Sequence, residues 1–257
     1  MTLAPLGRVF DDADVARAYR HRAPYPPETF AVLEGLLVEP RTVLDAGAGS
    51  GALARGMVRV AARVDAVDPS RPMIDEGRRS PGGADPRLRW IAATAEEAPL
   101  EPPYGLITAG ASLHWMDPAR VMPRFAAALA VGAVLAIVDQ ENEPTPWRDE
   151  LVKIIERYSE IEHHQERPEL IADLEAHGFF RRAGEARTAA APVRRTVDAC
   201  LEYLHSTSTL ARVRLGDRTA RFDDDMRALF ARHSLVEIEE RVSAIVVWGQ
   251  PLAGPGS

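Results

Sequence analysis

Three glycines lie at every second position in the stretch LDAGAGSGALA, an arrangement suited to a ligand-binding loop. Gly47 allows a turn with a positive φ, Gly49 lets a ligand approach the backbone, and Gly51 allows close helix–strand packing. A helix that begins just after this loop would offer free N–H groups and the positive end of its dipole. The stretch therefore predicts a site for a nucleotide or for something smaller, such as a nucleoside.

Two acids near this loop limit the kind of ligand. Asp45 precedes Gly47 by two residues and would repel a pyrophosphate. The glycine spacing of this loop, Gly-x-Gly-x-Gly, also differs from the Gly-x-Gly-x-x-Gly of dinucleotide sites. Asp68 ends the next predicted strand, 21 residues after Gly47, where a carboxylate can accept both hydroxyls of a ribose. The alternative for Asp68 is an N-cap of the helix that follows Pro69. These residues predict a nucleoside site that suits a positively charged substituent.

Alternating strands and helices over residues 41–139 must position these residues. Short apolar, β-branched runs predict strands, and apolar residues at helical spacing predict helices between them. The predicted strands are 42–46, 63–68, 87–93, 104–111 and 133–139. The predicted helices between them are 51–62, 70–79 and 119–130. Such alternation is typical of βαβ units, so we expect an α/β fold with a mostly parallel sheet. The glycine loop then lies at the carboxyl end of the first core strand, where open sheets bind ligands.

The chain is predicted to be a single domain with additions around the 41–139 core. An N-terminal helical cap is expected at residues 1–40. Residues 140–235 are predicted to form lid helices and one late core strand, at 184–196, before a final strand at 236–249. The tail at 250–257 is predicted to be disordered.

The composition argues against several classes of function. The formal net charge is −7 and the arginines are spread along the chain, which argues against nucleic acid as the main partner. No run approaches the ~18 apolar residues of a membrane span, and the N-terminal stretch is not typical of a signal peptide. The single cysteine, Cys200, excludes an intrachain disulfide and suits a reducing cytoplasm. The histidines show no metal-ligand spacing, so no metal is expected.

The sequence resembles the class I S-adenosylmethionine-dependent methyltransferases, and more narrowly their small-molecule branch of trans-aconitate-type enzymes. VLDAGAGSG is similar to the first motif of that family, and VDAVDPSRPMI is similar to its second strand with the ribose acid. WIAATAEEAPL, ASLHWMD and YRHRAPYP resemble the adenine segment, the segment after the fourth strand and the N-terminal closing segment. The resemblance implies a Rossmann-like, seven-stranded sheet with helices on both faces, S-adenosylmethionine as cofactor and a small-molecule acceptor.

The resemblance also implies roles for individual residues. Asp68 would hold the ribose, Arg22 the methionine carboxylate, and Trp115 would lie near the sulfonium, where a cation–π contact is favourable. The implied cofactor-binding residues are Tyr19, Arg22, Asp45, Gly47, Ala48, Gly49, Asp68, Pro69, Met73, Ala95, Glu96 and Trp115. His114 would orient the acceptor or remove its proton as a general base. The alternatives are a core role for Met73, a solvated loop acid for Glu96, and a purely shaping role for His114 and Trp115.

Methyl transfer from a sulfonium is an in-line displacement that mainly needs positioning, which explains why the sequence shows no catalytic triad. The element that is methylated, oxygen, nitrogen or carbon, stays open at this point, as does the oligomeric state. One alternative is a homologue that binds the cofactor without methylating, as a scaffold or for an unusual reaction. Another is an NAD-dependent oxidoreductase, which the glycine spacing and Asp45 disfavour.

Overall fold

A computed structural model of the chain describes residues 7–159 and 167–254, which form one sheet with helices on both faces. The strands are β1 (Thr42–Ala46), β2 (Arg63–Asp68), β3 (Leu88–Ala92), β4 (Leu106–Gly110), β5 (Leu135–Asn142), β6 (Phe180–Arg187), β7 (Ala191–Thr196) and β8 (Glu237–Pro251). The α-helices are α1 (Ala13–Ala18), α2 (Pro27–Leu36), α3 (Ala52–Met57), α4 (Arg71–Arg79), α5 (Pro118–Ala128), α6 (Arg148–Tyr158), α7 (Arg167–Ala176), α8 (Val197–His205), α9 (Arg212–Leu215) and α10 (Thr219–Arg232). Short 3₁₀ turns span Arg8–Asp11, Tyr19–His21, Leu113–Trp115 and Gly216–Arg218.

The sheet follows the order β3-β2-β1-β4-β5-β8-β6. Strands β1 to β5 are parallel, and β8 pairs antiparallel with β5. The strand order reverses at β1, because the chain moves outward to β3 and then returns to the other side of β1 with β4. Open sheets bind ligands at such a reversal, outside the carboxyl ends of the strands. The predicted α/β, mostly parallel fold is confirmed.

The sheet has eight strands, and the prediction of seven was wrong. The single strand expected at 184–196 is two strands, β6 and β7, which pair with successive stretches of the long strand β8. Between the two strands, the Thr188 backbone N–H donates to the Ala244 carbonyl at 2.9 Å. The Thr188 hydroxyl oxygen accepts the Ala244 backbone N–H, also at 2.9 Å. This side-chain bond replaces regular ladder pairing and separates the two strands.

The core strands alternate their side chains between two apolar layers. In β5, Leu135 and Ile137 belong to one buried cluster, while Ala136 and Val138 belong to the other. The first layer is covered by α5 and α7 and the second by α2 and α3, as expected for a sheet buried on both faces. Strand β5 was predicted to end at 139 but continues to Asn142, because β8 pairs with it along that whole length.

The helices after β5 share a separate apolar cluster of their own. Ile154 on α6, Leu201 on α8 and Phe222 on α10 are buried together, and Phe222 is fully buried. Helix α8 also contacts the Tyr19–His21 turn, so this helical group meets the N-terminal segment. Elements before and after the core therefore join above the carboxyl ends of the strands.

The tail prediction was wrong for residues 250–254. Strand β8 extends to Pro251, which pairs with Phe180, and the Gln250 side chain donates to the Ala133 carbonyl at 3.0 Å. The Leu252 N–H donates to Phe179 at 2.8 Å. Pairing with β6 therefore orders this segment, while 255–257 lie outside the described residues.

None of the helices in the described ranges combines the length and apolar character needed to cross a bilayer. Within the same ranges, no cluster of three or more His, Cys, Asp or Glu side chains is arranged to hold a metal ion. Of the histidines considered at the sequence level, His163 and His164 lie outside the described residues. His205 is buried, and its ring bonds the Leu210 carbonyl at 2.8 Å and Asp223 at 2.9 Å.

Candidate cofactor and acceptor site

A cavity of about 1150 Å³ lies at the carboxyl ends of β1, β2, β4 and β5. It is larger than the ~300–1,000 Å³ of a typical ligand cleft, so it has room for two ligands side by side. Its walls also include the N-terminal segment and the strands and helix of the lid, through residues such as Tyr19, Arg195 and Tyr203. All twelve cofactor-binding residues predicted from the sequence line this one cavity.

The glycine loop forms the floor of the cavity and turns through positive φ at all three glycines. At Gly47, with φ +66°, a Cβ atom would lie 2.5 Å from Cβ of Ser112, so the backbone there fits closely against the loop after β4. At Gly51, with φ +74°, a Cβ atom would lie 2.4 Å from the Trp90 ring. Gly47 thus keeps the cavity floor open, and Gly51 is needed for packing between the loop and β3.

Asp45 is almost fully buried at the end of β1 and holds the loop in shape. Its carboxylate accepts the Thr108 hydroxyl at 2.8 Å and the Ala54 backbone N–H at 3.0 Å, which satisfies one free donor at the start of α3. Burial raises the pKa of Asp45, and the two hydrogen bonds lower it. The effect of burial is larger, so the pKa is about 6. The acid therefore brings negative potential to the cavity floor while its hydrogen bonds stabilise the loop.

Asp68 lies at the end of β2, where both of its oxygens accept backbone N–H groups. One bond comes from Gly49 at 2.7 Å and the other from Ser70 at 2.8 Å. The N-cap of α4 is Ser70, whose hydroxyl accepts the Met73 N–H, so the N-cap alternative for Asp68 is wrong. Burial raises the pKa of Asp68 to about 6. Burying a carboxylate costs free energy unless polar groups bind it. A buried carboxylate that two amides hold at the cavity wall is suited to accept hydrogen bonds from a ligand group such as a ribose.

The N-terminal segment covers this part of the cavity through aromatic contacts. The Phe10 ring meets Trp115 edge-on at 5.7 Å and Tyr19 edge-on at 6.0 Å between centroids. The Ser70 hydroxyl donates to the Phe10 carbonyl at 2.6 Å. Residues on either side of the cavity are thereby tied together over the glycine loop.

Arg22 joins the N-terminal segment to the lid. Its guanidinium lies 4.0 Å from the centre of the Tyr19 ring and donates to the Ser206 hydroxyl at 3.0 Å and carbonyl at 2.9 Å. Those bonds use Nε and Nη2, so the edge that carries Nη1 is the one that can meet a ligand carboxylate. The sequence predicted that Arg22 binds the ligand, but it did not predict that Arg22 also bonds Ser206 of the lid.

The residues predicted to lie near adenine, Pro69, Met73, Ala95 and Glu96, line one part of the cavity. Met73 is fully buried within a small cluster that includes residues of the N-terminal segment, so it is both a core residue and a cavity residue. Glu96 is not a simple solvated acid, because its carboxylate accepts the Asp117 backbone N–H at 2.9 Å. This bond fixes the loop that carries Ala95 to the start of α5.

His114 is not among the described residues that line the cavity, although its neighbours Ser112, Trp115 and Met116 are. The Leu113–Trp115 turn directs Trp115 to the cavity and leaves His114 half-buried beside it, with ring centroids 4.4 Å apart. The position of His114 therefore gives no support to its predicted role as a general base.

Several cavity residues were not predicted from the sequence. They are Asp11, Ser112, Asp139, Asn142 and Arg195. Asp139 and Asn142 could have been suspected, because polar residues directly follow the apolar run of β5. Arg195 carries no local signal, since only the pairing of β7 with β8 brings it to the cavity. There the Arg195 side chain pairs with Glu240 and lies over the Tyr203 ring at 4.6 Å.

Comparison with known proteins agrees with this geometry. Residues 43–132 match the family model described as "methyltransferase domain". An uncharacterised methyltransferase of Mycobacterium tuberculosis is 38% identical over 140 residues, which cover 54% of this chain and 55% of that protein. A malonyl-[acyl-carrier protein] O-methyltransferase of Anoxybacillus flavithermus is 31% identical over 88 residues, covering 34% of this chain and 33% of that protein. The chain thus spans about half the length, or less, of the curated relatives it matches.

Solved structures extend the likeness of fold to most of the chain. A protein from Anaeromyxobacter dehalogenans, described as a type II methyltransferase, has a TM-score of 0.64 and 26% identity, covering 90% of this chain and 97% of that one. One from Bacillus halodurans, described as a methyltransferase, has a TM-score of 0.54 at 16% identity, covering 88% and 98%. Fold, cavity and matched segment together support a class I S-adenosylmethionine-dependent methyltransferase domain around residues 43–132. That prediction from the sequence is confirmed.

Proposed function

We propose that this protein transfers a methyl group from S-adenosylmethionine to a small-molecule acceptor. The observation that carries the proposal is the juxtaposition of Asp68, the glycine loop and Arg22 around one cavity. Asp68 would accept the ribose hydroxyls, the Gly47–Gly49 backbone would meet the methionine portion, and Arg22 would bind its carboxylate. The acid Asp45 on the floor favours a cationic ligand over a pyrophosphate.

When bound, S-adenosylmethionine supplies a methyl group on a sulfonium that an acceptor can displace in line. The residues of this chain then have to hold the acceptor, align it and exclude water. Such positioning can supply ~7–11 kcal/mol of a barrier. The N-terminal segment and the lid support this role, because Arg22 and Ser206 join them over the cavity. His114 is left out of the proposed machinery because it does not line that cavity.

A small molecule is favoured as acceptor by the shape and charge of the site. The cavity has room for more than one small ligand, and residues of the N-terminal segment and of the lid form part of its wall, which favours a small acceptor over a macromolecular surface. The net charge of −7 disfavours a nucleic-acid acceptor. We propose a cytoplasmic location, since S-adenosylmethionine is used there and the lone Cys200 is a buried free thiol.

The experiment that tests this proposal measures S-adenosylhomocysteine, which forms whatever the acceptor is. The wild type is incubated with S-adenosylmethionine and a small-molecule filtrate of a bacterial lysate, and product is quantified by mass spectrometry. We expect formation that requires the filtrate and is lost in Asp68→Ala. The matched control is Asp75→Ala, an exposed acid on α4, the helix that follows Asp68, which does not line the cavity. Equal rates in wild type and Asp68→Ala would contradict the proposal.

A further inference from the structure

The five tyrosines of the chain fall into two groups according to the partners of their hydroxyls. Outside the cavity, the Tyr104 hydroxyl donates to the Asp65 carboxylate at 2.7 Å. The Tyr158 hydroxyl donates to Asp225 at 2.8 Å. The other three hydroxyls have no hydrogen-bond partner within residues 7–159 and 167–254, and they belong to the cavity residues Tyr19, Tyr25 and Tyr203. None of the three is enclosed without a partner, so each reaches open space. Because tyrosine hydroxyls removed from bulk water usually find a partner, we expect a ligand to supply one in the cavity.

The Tyr25 hydroxyl lies against the carboxyl end of β4. A Cβ atom built on Gly110, the last residue of that strand, would lie 2.8 Å from the hydroxyl oxygen and 2.7 Å from Cδ1 of Leu53. The glycine therefore leaves the space that the phenol occupies. Strand β4 flanks β1 on the side opposite β2, so at ~4.8 Å per strand the hydroxyl is about 10 Å across the sheet from the end of β2. It thus lies on the side of the glycine loop away from the ribose site proposed at Asp68.

Two strands hold the backbone of the segment that carries Tyr25. From β5, the Gln140 side chain donates to the carbonyls of residues 23 and 24, at 3.3 and 3.0 Å. From β7, Nε of Arg195 donates to the His21 carbonyl at 2.8 Å. Since these bonds do not involve the phenol, its hydroxyl is not needed to hold the segment in place.

The Tyr25 hydroxyl is suited to donate a hydrogen bond and not to act as a base. Burial raises the pKa of Tyr25 well above its usual range, and the Asp45 carboxylate raises it further. The phenol therefore keeps its proton, and its O–H can donate to a ligand atom that carries a lone pair. In the proposed cofactor site, the ribose and the methionine portion already have partners in Asp68, the glycine loop and Arg22. The lone pair is therefore left to the second ligand in the cavity, the methyl acceptor.

We propose that the Tyr25 hydroxyl binds the methyl acceptor by donating a hydrogen bond to it, which makes Tyr25 a specificity-determining residue of the cavity. This proposal rests on the proposed function and specifies its substrate class. The acceptor is a molecule that presents a hydrogen-bond-accepting atom at the end of β4, such as a carbonyl oxygen or an unprotonated nitrogen. A molecule that presents an ammonium group or a hydrocarbon there would leave the phenol without a partner, and binding sites discriminate strongly against ligands that do so.

Tyr25→Phe tests this contact, because it removes the hydroxyl and keeps the ring. Two quantities are measured on each protein. The first is the affinity for S-adenosylhomocysteine in calorimetry. The second is the rate of S-adenosylhomocysteine formation from saturating S-adenosylmethionine with limiting amounts of the small-molecule filtrate of a bacterial lysate. We expect the rate to fall about fivefold, with the affinity unchanged within about twofold. A phenol that served only the fold or the cofactor would change the affinity as well.

Tyr158→Phe is the matched control, because it removes a hydroxyl that bonds Asp225 between α6 and α10 and does not line the cavity. Its rate and affinity should both stay within about twofold of the wild type. A Tyr25→Phe rate within twofold of the wild-type rate, or an affinity that falls as much as the rate, would overturn the assignment of Tyr25 to the acceptor. A wild type that forms no S-adenosylhomocysteine with the filtrate would instead overturn the proposed function on which this assignment rests.

Discussion

Acidification should weaken cofactor binding, because the carboxylate that we assign to the ribose has a raised pKa. Burial places the pKa of Asp68 at about 6 in the ligand-free protein. At pH 8 this group is almost fully ionised, whereas at pH 5 about one molecule in ten carries the carboxylate. If the ribose binds only the ionised form, the affinity for S-adenosylhomocysteine should fall about tenfold between pH 8 and pH 5, or ~1.4 kcal/mol. Asp45, with a pKa also about 6, would add to the fall if its charge is needed.

The assay is calorimetric titration of S-adenosylhomocysteine at several pH values between 5 and 8. Asp68→Asn serves as the reference, because any titration of the ligand itself would affect both proteins equally. We expect a slope in the wild type that is reduced in the variant. An affinity that is constant over this range, or a slope that Asp68→Asn shares in full, would refute the assignment of the ribose to Asp68.

The stability of the ligand-free protein should respond to these two acids with the opposite sign. Their folded-state pKa values, about 6, exceed the ordinary Asp value of 3.8, so between these limits the folded state binds more protons than the unfolded state. Their contribution to stability therefore falls as pH rises from about 4 to 6. Since the ligand favours the ionised form, the rise in Tm that it causes should be larger at pH 8 than at pH 5.

Two further substitutions test the floor and the core. Gly47→Ala should abolish cofactor binding in calorimetry, because its Cβ would lie 2.5 Å from Ser112. The control is Gly132→Ala, which has a φ of +80° and open space around it. This variant should bind normally, although its backbone carries a similar strain of ~1–2 kcal/mol. Normal binding by Gly47→Ala would count against the loop as the binding site. Phe125→Ala, at a fully buried position, should lower the free energy of unfolding in urea by ~3–5 kcal/mol, and the exposed Val131→Ala by less than about 0.5 kcal/mol. Equal effects of the last two would contradict the core described here.

The core of the fold could be predicted because local sequence and long-range structure agree there. The strands at 42–46 and 63–68 match β1 and β2 residue for residue, since apolar β-branched runs in a sheet buried on both faces leave few alternatives. Gly47 and Asp68 were predictable for a related reason. The tight loop between β1 and α3 turns through positive φ at Gly47, and the end of the second strand has a fixed place beside it.

Features that depend on pairing between distant segments could not be predicted in the same way. The split of 184–196 into β6 and β7 follows from the length of β8, and so does the order of residues 250–254. The role of Arg22 in bonding Ser206 joins residues 184 positions apart, for which no local pattern exists.

The central claim is that the glycine loop and Asp68 bind S-adenosylmethionine. The most direct test is calorimetric titration of wild type, Asp68→Ala and Asp75→Ala with S-adenosylmethionine, S-adenosylhomocysteine and NAD. Losing two hydrogen bonds to a charged acceptor, at ~1.5–3 kcal/mol each, should weaken binding by about 100-fold or more. We predict that wild type and Asp75→Ala bind the first two ligands and not NAD, and that Asp68→Ala loses them. Binding of NAD alone, or undiminished binding by Asp68→Ala, would contradict the claim.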